Sequence, residues 1–546
     1  MVLPAQSRYL FFVLCILITV ASLIGLVFSD WYWPLAIIFG ALTLLGIRDV
    51  TQTRHTIRRN YPIISRLRFF FESIRPEIRQ YFFENDTDAM PFSRNQRSIV
   101  YQRAKQELDK RPFGTQLDVY DSGYEWINHS MAPALVPSFD FRIDIGKVAD
   151  GWKSLGLKPG VTQPYSASIF NISAMSFGAL SANAIRALNK GAKKGGFAHD
   201  TGEGSISRYH REFGGDLIWE IGSGYFGCRN PDGSFSEENF TKNAVDPQVK
   251  MIEIKLSQGA KPGQGGVLPG AKVSPEIAEA RGVMVGKDCL SPSAHAAFST
   301  PIELLQFVDK LRTLSGGKPT GFKFCVGHPW EWFGIAKAMI ETGITPDFIV
   351  VDGKEGGTGA APVEFSDHVG VPLQEGLALV HNTLVGLNLR NQVRIGASGK
   401  VITAFDIVRC MALGADWCNS ARGYMFALGC IQAQTCHTGN CPTGVTTQDA
   451  ARQRGLVVPD KAERVTNFHH NTLKALAELT AAAGLKHPVE IGPHHIVRRV
   501  GQNKVKLLSS LVTFLSPGSL LEGKFEQKVF ELYWDMACAD SFTPRP

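Results

Sequence analysis

Several common signatures are missing from this sequence. Its cysteines do not follow the paired CxxC…CxxC spacing of zinc ribbons, and no zinc finger, RRM or helix-turn-helix pattern is present. Those absences argue against nucleic-acid binding, and the lack of a GxxxxGK[ST] P-loop argues against a P-loop NTPase. Charged residues are sparse, at 20% of the 546 residues against 44% hydrophobic ones, which excludes a disordered chain.

The positive charge of the chain is concentrated near its N-terminus. The net charge is +7, and residues 48–111 hold fourteen Lys and Arg against eight Asp and Glu. This surplus follows two apolar runs, residues 9–28 and 31–47, that are long enough to cross a hydrocarbon core. A basic surplus in that position indicates membrane topology or lipid contact.

We therefore predict a transmembrane helical hairpin in residues 1–50, with both ends in the cytoplasm. The protein would be multi-pass in the inner (cytoplasmic) membrane. A signal peptide or a single anchor is the alternative. Residues 51–111 are predicted to form a basic juxtamembrane helical region. Aromatic and Arg residues alternate at helical spacing in residues 57–83, so this segment lies on the membrane surface or packs as ordinary core.

The central part of the chain alternates short apolar runs with helical segments. Eight runs have the length and composition of strands, at residues 169–172, 197–200, 217–221, 251–256, 321–326, 348–352, 393–396 and 416–420. Each run ends in a Gly- or Ser-rich loop. Helical segments are predicted between most of the runs, such as residues 183–194, 301–314, 333–342, 373–386 and 404–412. This alternation predicts a (β/α)8 TIM barrel of class α/β, with an open doubly wound sheet as the competitor.

Glycine-rich loops follow the last three predicted strands. In a barrel they would meet at one corner, where backbone N–H groups bind a phosphate and a mononucleotide such as FMN fits. The alternative is that these glycines only form tight turns. The candidate residues in these loops are Asp352, Gly356, Gly357, Gly396, Ser398, Gly399, Ala421, Arg422 and Gly423.

Three charged residues elsewhere in the barrel are candidates for chemistry. Lys323, inside the fifth strand, needs a partner if it is buried, and it could stabilise negative charge on a reduced flavin, although Lys255 competes for that role. Lys261 lies in a Gly- and Pro-rich loop suited to presenting it to an anion. Glu203 lies between glycines, as a polar or proton-handling group over the site. The alternative for both loop residues is an ordinary solvated charge.

Three of the ten cysteines, Cys430, Cys436 and Cys441, fall within residues 429–442. Thiolates on an irregular loop suit an iron–sulfur cluster, because soft sulfur ligands match iron. A chance group of structural or disulfide cysteines is the alternative. Cys410 and Cys418 are close enough in sequence to leave a four-iron cluster open.

These motifs together resemble the FMN-binding synthase domain of glutamate synthases. The resemblance covers residues 112–499 and is carried by residues 173–181, 201–204, 259–263, 352–360 and 429–448. It implies a [3Fe–4S] cluster on the three loop cysteines and FMN near Met175 and Ser176. It also implies that Lys261 and Glu203 belong to the catalytic site for 2-oxoglutarate and flavin.

The chain departs from that family in three places. A membrane hairpin stands where complete glutamate synthases have a glutaminase domain, so we expect no glutaminase activity. Residues 500–546 form a C-terminal extension in place of a β-helix domain. Val267 stands where the family often has an amide in the substrate loop.

The sequence therefore predicts a membrane-anchored FMN and iron–sulfur oxidoreductase that aminates 2-oxoglutarate or a related 2-oxo acid. Its redox partner is ferredoxin, an NAD(P)H reductase subunit or a quinone-linked protein. One alternative is an FMN-dependent amino-acid or 2-hydroxy-acid dehydrogenase that feeds a respiratory partner. The other is a non-catalytic redox subunit.

Overall fold

The computed structural model describes residues 8–135 and 138–546, and these form two compact units that meet in sequence at Ala89 and Met90. This division falls inside the predicted juxtamembrane region, residues 51–111. Residues 1–7 of the predicted hairpin segment lie outside the described part.

The N-terminal unit is helical. Its elements are Leu10–Gly25, Asp30–Tyr32, Trp33–Thr51, Thr56–Asn60, Ser65–Ile78 and a π-helix at Arg79–Phe83. The two long helices pack antiparallel, with Thr19 Oγ1 3.0 Å from Thr43 Oγ1. The elements Asp30–Tyr32 and Trp33–Thr51 follow each other directly and form one helical stretch, Asp30–Thr51. Among the described helices, this stretch alone has the length and hydropathy of a membrane span, whereas Leu10–Gly25 is shorter. One of the two predicted spans thus meets the length criterion.

The segment after the hairpin is tied to it by one buried carboxylate. Asp49 accepts hydrogen bonds from Arg66 Nη2 at 2.7 Å and from the Ile63 amide at 3.1 Å. Most aromatic side chains farther along this segment remain exposed, and Phe82 and Phe83 are each 79% accessible.

Eight parallel strands form a closed barrel in the C-terminal unit. They are β1 (Phe170–Ile172), β2 (His199–Asp200), β3 (Leu217–Ile221), β4 (Val249–Lys255), β5 (Thr320–Phe324), β6 (Phe348–Asp352), β7 (Arg394–Ser398) and β8 (Trp417–Ser420). The last strand pairs with the first, with Asn419 opposite Asn171, so the sheet is not open. The prediction of a (β/α)8 barrel is confirmed.

Helices surround this barrel, and local signals set where they begin and end. Thr300 caps one helix by accepting a hydrogen bond from the Glu303 amide, and Gly343 ends another in the left-handed conformation. The helices of this unit are Arg94–Lys105, Ala182–Gly195, Arg208–Arg211, Glu237–Ala244, Pro275–Arg281, Pro301–Leu314, Pro329–Thr342, Val363–His368, Leu373–Gly386, Ala404–Ala412, Arg422–Leu428, Ala450–Arg454, Val458–Ala482, Leu508–Leu511 and Lys528–Tyr533.

Short strand pairs and the chain ends complete the unit. Glu125–Ile127 pairs with Ile496–Gly501, which pairs with Lys504–Leu507; the other pairs are Arg142–Ile145 with Tyr165–Ser168, Lys147–Asp150 with Lys153–Leu157, and Val267–Leu268 with Cys289–Leu290. Single-turn 3-10 helices lie at Gly270–Lys272, Pro488–Glu490 and Pro493–His495. The predicted extension, residues 500–546, packs on the barrel's outer helices, with Phe530 stacked on Phe333.

Candidate active site

Because all eight strands run parallel, their carboxyl ends meet at one mouth of the barrel. The loops that leave these ends carry nearly all of the residues predicted for the site. Met175 and Ser176 follow β1, Glu203 follows β2 and Lys261 follows β4. The glycine-rich loops follow β6, β7 and β8. Candidate residues that are spread over about 250 residues of sequence thus lie at the same end of the barrel.

The corner between β6, β7 and β8 has the features of an anion site. Ser398 Oγ lies 3.3 Å from Ser173 Oγ, and Arg422 Nη2 donates a 2.6 Å hydrogen bond to the Glu355 carbonyl. The Arg422 guanidinium and the Lys400 ammonium both face the Phe92 ring. Burial lowers the pKa of Arg422 to about 10 and also lowers that of Lys400. Two desolvated cations beside glycine-rich backbone would attract a phosphate.

Gly396 has a packing role in the structure, and its predicted contact with the cofactor stays a prediction. It lies within β7, and a side chain there would meet the indole ring of Trp417 inside the barrel. Lys400, in contrast, was not among the predicted site residues, although it directly follows Ser398 and Gly399. A cation directly after a Ser-Gly turn was the signal that could have revealed it.

Asp352 holds two of the loops together. Its Oδ2 accepts a 2.7 Å hydrogen bond from the Gly259 amide in the loop after β4. A Cβ at Gly259 would overlap the carbonyl oxygen of Gly353, so the close approach requires glycine. The predicted cofactor residue Asp352 thereby fixes the loop that carries Lys261.

Lys261 and Glu203 belong to a buried group of charges. Glu203 Oε1 lies 2.8 Å from Lys255 Nζ, and Lys261 Nζ donates a 2.7 Å hydrogen bond to the Gly265 carbonyl. Burial alone would raise the pKa of Glu203, but the cations around it, first of all Lys255, hold it below its usual range. Burial and the Lys255 ammonium lower the pKa of Lys261.

Arg281 is a further member of this group that the sequence did not indicate. It ends the helix Pro275–Arg281, is buried, and donates from Nη2 to Ser176 Oγ at 3.3 Å and to the Phe177 carbonyl at 3.2 Å. Its Nε finds no partner among the described residues. With Arg281, three cations surround one carboxylate, so this pocket is positive and suits an acidic substrate.

The three loop cysteines line a single cavity after β8. Gln432 and Gln434, between the first two of them, have left-handed backbone, which curls the loop around that cavity. None of the described cysteines forms a disulfide. The arrangement therefore fits an iron–sulfur cluster better than a disulfide pair, and Cys410 and Cys418 do not line this cavity.

The thiols of Cys430 and Cys441 have pKa values shifted in opposite directions. Burial raises the pKa of Cys430 to about 12. Burial also acts to raise that of Cys441, but hydrogen bonds from Thr443 and Thr446 lower it to about 7. Lys272 Nζ donates a 2.7 Å hydrogen bond to the Cys436 carbonyl, and Gly359 of the β6 loop approaches the Cys436 side chain. The cysteine loop therefore contacts the 3-10 helix Gly270–Lys272 and the loop after β6.

Lys323 lies deeper than the other candidates. Its ammonium is inside the barrel, ion-paired with Glu220 and 3.3 Å from Glu253 Oε1. The structure thus shows the buried ion pair that was the other possibility raised by its position in a strand. A contact between Lys323 and the flavin stays a prediction.

A comparison with known families bears directly on this geometry. Residues 161–486 match the family model described as the conserved region in glutamate synthase. The chain is also 38% identical over 496 residues to the glutamate synthase large subunit-like protein YerD of Bacillus subtilis, covering 85% of this chain and 94% of that protein. The chain belongs to the glutamate synthase family.

Other members of the glutamate synthase family align over a shorter stretch. The archaeal-type glutamate synthase [NADPH] of Thermotoga neapolitana is 32% identical over 361 residues, which are 66% of this chain and 68% of that protein. The family match takes in all eight barrel strands and the three loop cysteines, whereas the N-terminal helical unit lies outside it. The resemblance found in the sequence is confirmed for the barrel.

Proposed function

We propose that this protein is an FMN- and iron–sulfur-dependent oxidoreductase that aminates 2-oxoglutarate, or a related 2-oxo acid, to the amino acid. Family membership makes it an oxidoreductase of the class that acts on CH–NH2 donors. One observation carries the finer proposal. The anion corner, the cations around Glu203 and the three-cysteine cavity lie on neighbouring loops at one end of the barrel.

The anion corner would hold the phosphate of FMN. Arg422 and Lys400 supply positive charge there, and Ser398 and Gly399 supply the hydroxyl and the backbone turn. FMN, when bound, supplies the two-electron redox chemistry. Met175 and Ser176, at the end of β1, would line the flavin on the side of Arg281.

The cysteine cavity would hold a [3Fe–4S] cluster through Cys430, Cys436 and Cys441. A cluster there supplies single-electron transfer to or from a partner protein. Lys272 fixes the Cys436 backbone and places a cation beside the thiolates, and its pKa is lowered by burial. Lys272 and Lys261 both belong to the part of the chain between β4 and β5, separated by the short strand Val267–Leu268, so this part of the chain would contribute to both sites.

The chain's own charges would bind and orient the substrate. Lys261 and Arg281 offer donors to its carboxylates, and Glu203 holds the Lys255 ammonium in place at 2.8 Å. Glu203 is ionised near neutral pH, so it can accept a proton in the site. Each amino acid formed consumes one ammonium ion, two electrons and two protons and releases one water, with the nitrogen supplied free or by a partner.

A second function is favoured by one residue of the substrate loop. Val267 is 46% accessible in the short strand Val267–Leu268, where an amide would have offered a hydrogen bond to a substrate. An apolar group there suits an amino acid or 2-hydroxy acid that is not a dicarboxylate. In that case the same flavin site would run as a dehydrogenase, with the acid reducing the cofactor.

We further propose that the N-terminal unit attaches the protein to a membrane, with the barrel on the cytoplasmic side. Asp30–Thr51 would cross the bilayer. The exposed rings of Phe70, Phe71, Phe82 and Phe83, interleaved with Arg side chains, would lie at its anionic surface.

The proposed reaction is tested with the full-length protein purified in mild detergent. FMN and iron content are measured first. Chemically reduced ferredoxin or viologen is then supplied with 2-oxoglutarate and ammonium, and glutamate is quantified. We expect glutamate only when all three are present. Protein that carries neither FMN nor iron, or that forms no glutamate while oxidising amino acids, would overturn the proposal.

A further inference from the structure

A group of buried charges lies inside the barrel, below the active-site loops. Asp200 ends β2, Glu220 and Glu253 lie near the ends of β3 and β4, and Lys323 lies near the end of β5. All four side chains are buried. In the register of the sheet Glu220 is opposite Glu253, so neighbouring strands bring these carboxylates together. The proposed reaction makes no use of them so far.

The charges in this group do not balance. One carboxyl oxygen from each of Asp200, Glu220 and Glu253 lies within 4.8 Å of the others, and Lys323 is the ammonium that sits among them. Lys323 is ion-paired with Glu220. Its Nζ is 3.3 Å from Glu253 Oε1 but is not aligned for a hydrogen bond. Three carboxyl groups thus share one ammonium, so the group holds two more carboxyl groups than cations.

Three of the four carboxyl oxygens of Asp200 and Glu253 also lack a hydrogen bond from the described residues. Asp200 Oδ1 accepts from the Gly202 amide at 3.0 Å, but Asp200 Oδ2 and both oxygens of Glu253 accept none from the described residues. Two ionised carboxylates that are both buried repel each other, which favours a proton on one of them. A proton on one of them makes it a donor to the other, which removes the repulsion and supplies the missing hydrogen bond.

A bound metal ion is the other way to compensate three carboxylates. Here the Lys323 ammonium already occupies the space among their oxygens, so a divalent ion would lie against a like charge. Protonation of a carboxylate places no second cation against the Lys323 ammonium. The burial of Asp200 and the nearby Glu220 carboxylate raise the pKa of Asp200 to about 7, although Lys323 acts to lower it. Burial likewise raises the pKa of Glu253 well above its ordinary value.

We propose that Asp200 and Glu253 form a proton-holding pair that keeps one shared proton at neutral pH and exchanges a second proton when the charge at the mouth of the barrel changes. In the exchange, a solvent proton binds to a carboxylate oxygen and later leaves it. The pair lies one inward-facing position below the Glu203–Lys255 ion pair, because Lys255 follows Glu253 by two residues on β4. Its use during turnover rests on the proposed function, whereas its existence does not.

The surroundings define what sets this titration. His199, the neighbour of Asp200, lies on the opposite face of β2 and packs on His210, and burial lowers its pKa to about 3, so it stays neutral. The charged groups that face the pair are Glu220 from β3, Lys323 from β5, Asp352 from β6, and Lys255 with Glu203 above it.

Infrared difference spectroscopy of the full-length protein tests the pair, because a buried protonated carboxyl group gives a separate C=O band that shifts in D2O. We expect a wild-type band that titrates near pH 7 and that is absent from D200N and E253Q. E220Q removes a neighbouring negative charge, so it should lower the midpoint by about one pH unit or more. D416N, which removes a buried carboxylate already paired with Arg390 and Arg394, should leave the band unchanged.

Several outcomes would overturn the proposal: no carboxyl band titrating between pH 5 and 9, a band that survives both D200N and E253Q, or an E220Q midpoint that rises. Stoichiometric divalent metal other than iron, whose removal by a chelator changes the band, would also overturn it. If D200N or E253Q fails to fold, the wild type and E220Q still decide.

Use during turnover is tested separately, because the pH profile of kcat should move in E220Q with the infrared midpoint. An unmoved profile rejects that use while leaving the pair itself intact. A wild-type protein with the band but no amination activity rejects the proposed function instead.

Discussion

At the scale of single residues, the site depends on a surplus of positive charge in a buried pocket. Lys255, Lys261 and Arg281 surround one carboxylate, Glu203, and the Lys261 and Arg281 donors are directed at backbone or hydroxyl oxygens in the structure. A bound dicarboxylate would replace such interactions with charge-assisted hydrogen bonds. Each of these contributes roughly 1.5–3 kcal/mol when buried.

Replacing Lys261 with Met should therefore weaken substrate binding and leave the cofactors in place. We expect KM for 2-oxoglutarate to rise by about 10- to 100-fold, the equivalent of one such hydrogen bond, with unchanged FMN content. Lys287→Met is the matched control, because Lys287 lies on the same excursion of the chain but is exposed. Steady-state kinetics in which both variants behave alike would remove Lys261 from the substrate site.

The second residue-scale prediction concerns the cysteine loop. Cys436→Ser should lose the iron–sulfur cluster while retaining FMN, because serine oxygen is a poor replacement for thiolate at iron. Cys410→Ser, at a buried thiol that does not line the cavity, should keep the cluster. Iron analysis and low-temperature electron paramagnetic resonance distinguish the two variants. Loss of the cluster in Cys410→Ser would indicate a fourth ligand and contradict the three-ligand set.

At the scale of secondary-structure elements, the loops after β4 and β6 act as one unit. Gly259→Ala would force its Cβ against the Gly353 carbonyl and displace the Asp352 contact. We expect a loss of stability of about 1–3 kcal/mol, typical of overpacking, and weaker FMN binding. Thermal unfolding and flavin fluorescence measure both.

Gly327→Ala provides the control for that change, because the nearest atom to an added Cβ is 3.6 Å away, in the flexible Glu331 side chain. It should be close to neutral. If Gly259→Ala also leaves stability and FMN binding unchanged, then the contact between the loops after β4 and β6 is not rigid.

Much of the barrel could be predicted because the signals are local. The strand order could be read from the apolar runs, the glycines that end them and the helical periodicity between them. The helices Pro301–Leu314, Leu373–Gly386 and Ala404–Ala412 have the predicted bounds. The helix Pro329–Thr342 begins earlier than predicted, because Pro329 is tolerated in a first helical turn.

What sequence could not reveal are the partners that tertiary structure brings together. The carboxylates that neutralise Lys323 come from β3 and β4, more than 65 residues away in the chain. Arg281 reaches the site only because its short helix lies beside the loop that follows β1. The Trp417 ring that an added side chain at Gly396 would meet likewise comes from a neighbouring strand, so the sequence could not show that packing requires glycine there.

At the scale of the whole molecule, the proposed membrane attachment rests on the N-terminal unit. Leu44→Arg places a charge in the middle of the apolar helix, which costs about 2.5–3.5 kcal/mol on insertion. We expect wild-type protein to stay in the membrane fraction after alkaline carbonate extraction and Leu44→Arg to be partly released. Leu521→Arg, an equally drastic change at an exposed position of the C-terminal unit, should behave as wild type. Complete extraction of the wild-type protein would contradict the anchoring.

The central claim is that the barrel uses FMN to aminate a 2-oxo acid, and an anaerobic flavin titration tests it most directly. The flavin of the full-length protein is reduced, and its absorbance is followed as 2-oxoglutarate and ammonium are added separately and then together. We predict that only the combination reoxidises the flavin, with one amino acid formed per flavin. The account would be contradicted if 2-oxoglutarate and ammonium together left the reduced flavin unchanged, while amino acids or 2-hydroxy acids reduced the oxidised flavin.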